Sequence, residues 1–424
     1  MKKAKDKKIK LGIFVEGDFI PSYDGASNRF HYLSRYLQWA GVEVVVFHGF
    51  RGWSDLELIK KEPFKTYVLP IERYYKDSSF LASLVKKEKL DIIQFNDLEP
   101  VLLQGIRLAH MTGVHLVAEM HFVVGNLAKA LGTSAQKLSK IAKLEKFIGR
   151  AVDHVIALSS DDEPDFIKKM GVPSKNISVV PSGVDLREIK FWGPNFKAKT
   201  ILFLGNLYFE PNGEAVKTIH RDIYPELKKA GFKFLIVGDC PKKLRDKYQD
   251  RTFRFTGTVD DLNQVFKEST LALAPIIEST VLRIKTLNYL AAGIPVVTTS
   301  ASAAGFPHKD CLLVEDDFQK YPALILKLTK RELLRLAKRG RETMESKFDW
   351  KIIAERTKTT YKKILHTRPK DKAKSAELTA SFNLKEPVWL EEAKKKGRFS
   401  NCHHPPHGDF SYGVIRHGRV NIVR

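Results

Sequence analysis

Ala274-Pro275-Ile276-Ile277-Glu278-Ser279-Thr280-Val281-Leu282-Arg283-Ile284-Lys285-Thr286-Leu287-Asn288-Tyr289-Leu290-Ala291-Ala292-Gly293-Ile294-Pro295-Val296-Val297 reads as a strand end, a loop, a short helix, a glycine stop and a second buried strand. A helix begun near Leu282 puts Lys285 and Asn288 three residues apart on one face. Arg283 then falls in the first turn, with Ser279 and Thr280 before it as caps. Cations meeting the free N–H groups of a helix start suit a diphosphate. The competing reading is a basic helix start facing solvent.

Outward from this stretch, the same strand–helix alternation fills the chain. In the second half, residues 200–204, 232–237, 254–256, 271–275, 295–299 and 312–314 are short apolar runs separated by helical material. The first half has its own series at 10–15, 42–47, 91–95, 115–120, 154–158 and 177–180, with amphipathic stretches such as 28–39 and 127–148 between them. Alternation at this spacing predicts parallel sheets covered on both faces. The expected fold is α/β, two Rossmann-like domains facing a cleft at the carboxyl ends of their strands. Residues 9–185 form the first domain and 200–347 the second. The linker at 186–199 contains Gly193-Pro194-Asn195. A helix over 348–365 follows Phe348-Asp349-Trp350. Residues 366–424, with Pro369, Pro387, Pro405, Pro406 and a lysine triplet at 394–396, read as a basic, poorly ordered tail.

The formal charge of +23 on 424 residues invites a nucleic-acid reading, but its placement argues otherwise. The first ten residues hold a net +5 and residues 366–424 a net +6. No basic face interleaved with aromatics is evident, so specific nucleic-acid binding ranks last. A moderately basic core suits a phosphorylated substrate or work near an anionic membrane. Three scattered cysteines suggest no disulfide framework. No apolar run reaches the ~18–20 residues of a spanning helix. A cytoplasmic protein is expected, with peripheral contact at the inner face of the membrane as an option.

Other candidate residues sit at strand ends. The turn Pro21-Ser22-Tyr23-Asp24-Gly25-Ala26-Ser27-Asn28 feeds a helix, and either offers N–H groups to an anion or simply caps it. Residues 115–121 form a strand whose end puts Glu119 and His121 on one face, where catalytic groups gather. A structural histidine is the alternative. Residues 127–150 intersperse Lys129, Lys137, Lys140, Lys143 and Lys146 with apolar positions, giving a solvated helix or a contact with anionic lipid. Cys402-His403-His404 with His407 lacks a second cluster, and no metal is expected.

Over residues 9–365 the chain resembles a family 4 retaining glycosyltransferase of the GT-B fold. Gly25-Ala26-Ser27-Asn28-Arg29 resembles that family's glycine loop and following helix. Asp91-Ile92-Ile93-Gln94-Phe95 is similar to its D-hydrophobic-hydrophobic-H strand, with Gln94 replacing the usual His. Glu119-Met120-His121 resembles the active-site histidine segment, and Val180-Pro181-Ser182-Gly183-Val184-Asp185 the hinge turn, with Ser182 in place of Asn. Gly205-Asn206-Leu207 with Pro211-Asn212 resembles a branch whose second domain opens in this way. Phe255-Thr256-Gly257-Thr258-Val259-Asp260-Asp261-Leu262 matches the turn that usually contacts the nucleotide base, and Phe348-Asp349-Trp350 the start of a terminal helix crossing back to the first domain.

The resemblance implies transfer of a sugar, with retention, from a nucleotide diphosphate sugar to a glycan, lipid-linked or small-molecule acceptor. No cofactor beyond that donor is expected. It implies His121, Arg283 and Lys285 as catalytic residues. Gly25, Asn206, Gly257, Val259, Glu278, Ser279, Thr280 and Asn288 are expected at the donor. Asn288 stands where the family carries a ribose-binding glutamate; Asn supplies no charge-assisted acceptor, and Glu278 is near enough to compensate. A catalytically impaired binding or scaffold protein and a GT-B epimerase are the alternatives.

Overall fold

The computed structural model describes residues 8–16, 19–22, 25–50, 54–96, 99–121, 123–130, 132–276, 284–306, 309–379, 412–416 and 419–423. The described chain divides into two compact units. One holds the residues up to Pro181 and those from Ile353 onward; the other holds Ser182–Ile352.

Seven parallel strands build the first unit: β1 Lys10–Glu16, β2 Glu43–Phe50, β3 Lys65–Pro70, β4 Ile92–Asn96, β5 His115–Met120, β6 His154–Ala157 and β7 Ile177–Val179, in the order β3-β2-β1-β4-β5-β6-β7. β3 was not expected from the sequence; its Lys-Thr-Tyr-Val-Leu-Pro run is short and ends on proline. Phe14 pairs in register with Phe47 on one side and Phe95 on the other. Their rings stack at 4.3 and 4.2 Å, and Tyr67 continues the row at 5.3 Å from Phe47. Such cross-strand aromatic pairs lock register where a one-residue slip would turn every side chain to the other face. The strand order reverses between β1 and β4, so a crevice opens beyond their carboxyl ends.

The second unit repeats the plan. Its strands are β8 Thr200–Leu204, β9 Lys233–Val237, β10 Phe253–Gly257, β11 Leu271–Ala274, β12 Val296–Thr298 and β13 Leu313–Val314, in the order β10-β9-β8-β11-β12-β13. The switch point lies between β8 and β11. Residues expected as a linker pack onto this unit: Trp192 and Gly193 donate N–H groups to Ala292 O, and the Trp192 indole donates to Asn263 Oδ1.

Within the C-terminal segment, residues 366–379, 412–416 and 419–423 pack on the first unit. Lys372 is buried and pairs with Asp153 at 2.8 Å. Asp153 also accepts from the backbone N–H groups of Lys370 and Leu116. Arg107 then donates to Thr379 Oγ1 and O, holding the Ala373–Thr379 helix. Beyond it, β14 Tyr412–Arg416 joins β3 antiparallel and pairs with β15 Arg419–Val423. The acid that neutralises Lys372 lies more than two hundred residues upstream.

Asp153→Ala is expected to lower the unfolding free energy by about 3–5 kcal/mol, since it strands a buried ammonium. Deleting residues 366–424 should also lower the urea midpoint followed by far-UV circular dichroism. Wild-type midpoints in both variants would show that this segment contributes nothing to the unit.

Candidate active site

In the first unit the site is built on a buried ion pair. Parallel register places Gln94, Val117 and Glu119 on one face of β4 and β5. The Gly25–Trp39 helix, entered from the loop after β1, drops Arg29 onto that face. Arg29 is completely buried, and its Nε and Nη2 donate to the two Glu119 oxygens at 2.9 and 3.1 Å. Gln94 Nε2 donates to Glu119 Oε2 at 3.0 Å. Burial opposes ionisation of Glu119, but the Arg29 charge, the adjacent His121 and the guanidinium hydrogen bonds outweigh it and hold the carboxyl at about 2. Glu119 is therefore an anchor for its neighbours and has no access to a substrate.

His121 follows at the end of β5, mostly buried. Its ring lies 5.5 Å from that of Phe30 at an interplanar angle of 25°, and its Nε2 is 3.5 Å from Glu119 Oε1. Behind it the Val124–Ala130 helix is tied down by Gly125 N–H donating to buried Glu145 Oε1 at 2.8 Å. Gly25 stands exposed at the N-terminus of the Arg29 helix. One turn further along, His31 and Arg35 converge on Glu62. The Arg35 Nε and Nη2 groups donate to it, and His31 Nε2 lies 2.9 Å from it. Ser22 Oγ meets His31 Nδ1 at 3.1 Å, fixing the turn before the helix.

In the second unit, absent side chains shape the site. A Cβ on Gly205, just past β8, would lie 2.9 Å from Asn212 and from Lys285 Nζ. At Gly238, just past β9, φ is +131° and a Cβ would come within 2.1 Å of Gly205 O. The backbone ends of β8 and β9 therefore approach closely, and Gly238 N–H donates to Gly257 O at 2.9 Å to bring in β10. The Ile284–Ala291 helix is fixed to this rim by Leu204 N–H donating to the Tyr289 hydroxyl. From its first turn Lys285 donates to Asn212 Oδ1 at 2.7 Å, with Nζ 4.3 Å from the Phe203 ring centroid. Asn212 Nδ2 in turn donates to Asn206 O.

The structure thus gathers Asn206, Gly257 and Lys285 around one rim. Asn288, half-buried, shares the helix with Lys285. Val259 packs its side chain against the core of the unit. Glu278, Ser279, Thr280 and Arg283 lie outside the described residues, as do Cys402, His403, His404 and His407. Sequence reasoning passed over Gly238 and Tyr361. The first carried a signal, a glycine directly after an apolar strand at Val237-Gly238-Asp239; the second, mid-helix, carried none. Among the described residues, no group of three His, Cys, Asp or Glu is placed to hold a metal.

Residues 23–188 match the model of Glycosyltransferase Family 4, and residues 198–331 that of Glycosyl transferases group 1. The chain is a GT-B-fold glycosyltransferase related to these families. It transfers a sugar from a nucleotide diphosphate sugar to an acceptor, a reaction that in this family typically retains anomeric configuration. It is similar to a phosphatidylinositol N-acetylglucosaminyltransferase subunit from Arabidopsis thaliana, 20% identical over 84% of this chain and 83% of that protein. It is also similar to the UDP-Gal:alpha-D-GlcNAc-diphosphoundecaprenol alpha-1,3-galactosyltransferase of Escherichia coli, 26% identical over 54% of this chain and 59% of that one. Sucrose-phosphate synthase from Thermosynechococcus elongatus shares the fold, with a TM-score of 0.68, 17% identity, and coverage of 85% of this chain and 100% of the synthase.

The carboxyls of this glycosyltransferase set its acid limit. Glu62 and Glu119 are both held near about 2 in the folded chain, against an ordinary 4.5, Glu62 by Arg35 and His31 working against its burial. A depressed folded-state value stabilises fully above the unfolded value and is lost as pH falls through the folded one. The urea midpoint should therefore drop between pH 4.5 and about 2. Glu119→Gln should reduce that drop and lower stability near neutrality by about 3–5 kcal/mol, because Arg29 stays buried without its counter-charge.

Proposed function

We propose that the rim of β8, β9 and β10 in the second unit holds the donor diphosphate, with Lys285 as its principal cation. The observation that carries this reading is the position of Lys285 Nζ beside Gly205, where neither Gly205 nor Gly238 can bear a side chain. The two glycines let the ends of β8 and β9 close on one another and seat Lys285 Nζ at that rim. As the glycosidic bond breaks, negative charge grows on the leaving diphosphate, and a cation already in place stabilises it without reorganisation. Arg283, two residues earlier, is the proposed second cation, and Glu278, Ser279 and Thr280 the loop against the donor. Gly257 and Val259 border the base, and Asn288 takes the ribose. In the first unit His121 contacts the sugar, and Gly25 heads the helix that offers N–H groups to it.

The acceptor in this proposal is lipid-linked, at the cytoplasmic face of an anionic membrane. Both relatives carry a lipid in their names, phosphatidylinositol in one and diphosphoundecaprenol in the other. The Ala135–Ala151 helix exposes Lys140, Lys143, Lys146 and Arg150, while its one acid, Glu145, is turned inward to cap the helix after His121. The basic face is thus carried on the element that caps the helix following the proposed sugar-contacting histidine. Basic residues near an anionic surface contribute about 1 kcal/mol each. No helix among the described residues is long and apolar enough to cross a membrane.

Calorimetric titration with UDP and uridine tests the donor site. Lys285→Ala is expected to weaken UDP binding about tenfold to a hundredfold, the scale of a lost charge-assisted contact, and to leave uridine binding nearly unchanged. Asn288→Glu should strengthen both, since it restores a charged ribose acceptor. Unchanged UDP affinity in Lys285→Ala would overturn the phosphate assignment.

Sedimentation with vesicles tests the membrane face. Wild-type protein should bind phosphatidylserine-containing vesicles and lose binding as salt rises, because exposed charges are screened over ~8–10 Å near physiological ionic strength. Replacing Lys140, Lys143 and Lys146 by Glu should abolish it. Equal binding to neutral and anionic vesicles would remove the electrostatic reading.

A further inference from the structure

The Trp350–Leu365 helix brings a tyrosine to the catalytic strand. Tyr361 is fully buried, and its hydroxyl donates to Gln94 Oε1. Gln94, also buried, donates through Nε2 to Glu119 Oε2. A carboxamide has one accepting end and one donating end, whereas an ionised carboxylate only accepts. Glu119 therefore demands the amide nitrogen of Gln94, and the Tyr361 hydroxyl, satisfied only by the remaining oxygen, holds the amide in that sense. Burial and the nearby Glu119 charge both push the Tyr361 hydroxyl well above its ordinary value, so it stays a donor. With Arg29 on one side and Gln94 on the other, Glu119 cannot turn, and its Oε1 stays 3.5 Å from His121 Nε2.

The geometry points to Tyr361 and Gln94 as positioning residues for sugar transfer, acting through Glu119 on the orientation of the His121 ring. Neither touches the substrate. The inference rests on the reading of His121 as the sugar-contacting residue, and in it a tyrosine from the returning helix directs the amide of Gln94. Charged and polar groups linked to the ring include Glu119 from β5, Arg29 from the Gly25–Trp39 helix through Glu119, and Tyr361 through Gln94.

The test follows the ring resonances of His121 by NMR in the full chain, assigned by their loss in His121→Ala. Tyr361→Phe removes only a hydroxyl, and Gln94→Met keeps the volume while removing the donor. Gln94→Met should move the titration midpoint of His121 upward, because Glu119 with one donor fewer leaves more charge for the imidazolium; Tyr361→Phe should move it the same way by a smaller amount, because the Gln94 amide is then held by Glu119 alone. Gln94→His, which retains a ring N–H to offer, should hold the midpoint near wild type. Hydrolysis of the donor should slow about fivefold to tenfold in the first two variants, the scale of one hydrogen bond felt in the transition state, with donor KM unchanged. A purely structural role would lower Tm and leave the His121 midpoint where it was, and that result in both variants overturns the inference. If the midpoint moves but His121→Ala turns over normally, the positioning stands and the sugar-contact reading falls.

Discussion

Arg29 and Glu119 form the one interaction on which the first unit's site depends. Two ions are buried completely, and removing either one would leave the other as an uncompensated buried charge. Glu119 takes the Nε and Nη2 groups of the guanidinium and a carboxamide, and sits beside His121. The pair is thus where the helix after β1, strand β4, strand β5 and, through Gln94, the returning helix meet. Displacing any one of them would leave a charge buried without compensation. His121 owes its place to this constraint, because the residues that flank it cannot move independently.

The second unit reaches a similar precision by opposite means. The glycines after β8 and β9 let two backbone segments close to a distance that any Cβ would forbid. The tyrosine hydroxyl of the Ile284–Ala291 helix takes the backbone N–H of Leu204, which sets Lys285 against the turn. Lys285 Nζ is held by Asn212 and lies over the Phe203 ring, half-buried.

The returning C-terminal segment belongs to the same economy of fixed charges. Lys372 enters the first unit beside Asp153, which already accepts the backbone N–H of Leu116 in β5. Strand β5 is therefore restrained at both ends, by Asp153 near its start and by Glu119 near its finish. The hairpin of β14 and β15 covers the edge that β3 would otherwise leave open, and open edges invite pairing with other chains.

Strand–helix alternation, the glycine stop at Gly293 and the apolar runs flanking it determined the two-sheet α/β architecture, because both elements are written in local periodicity and burial on both faces needs continuous apolar strands. The sequence by itself also placed Lys285 and Asn288 on one helix face and His121 at a strand end, since these depend on spacing within one element. The sequence set Glu119 there as half of a polar pair with His121, and only the tertiary structure showed it closed off by Arg29, ninety residues away. Tyr361 beside Gln94, Gly238 against Gly205, and Lys372 beside Asp153 were likewise decided by the fold alone. Each joins residues distant in the chain, and no local pattern encodes which partner a buried charge or an empty Cβ position will meet.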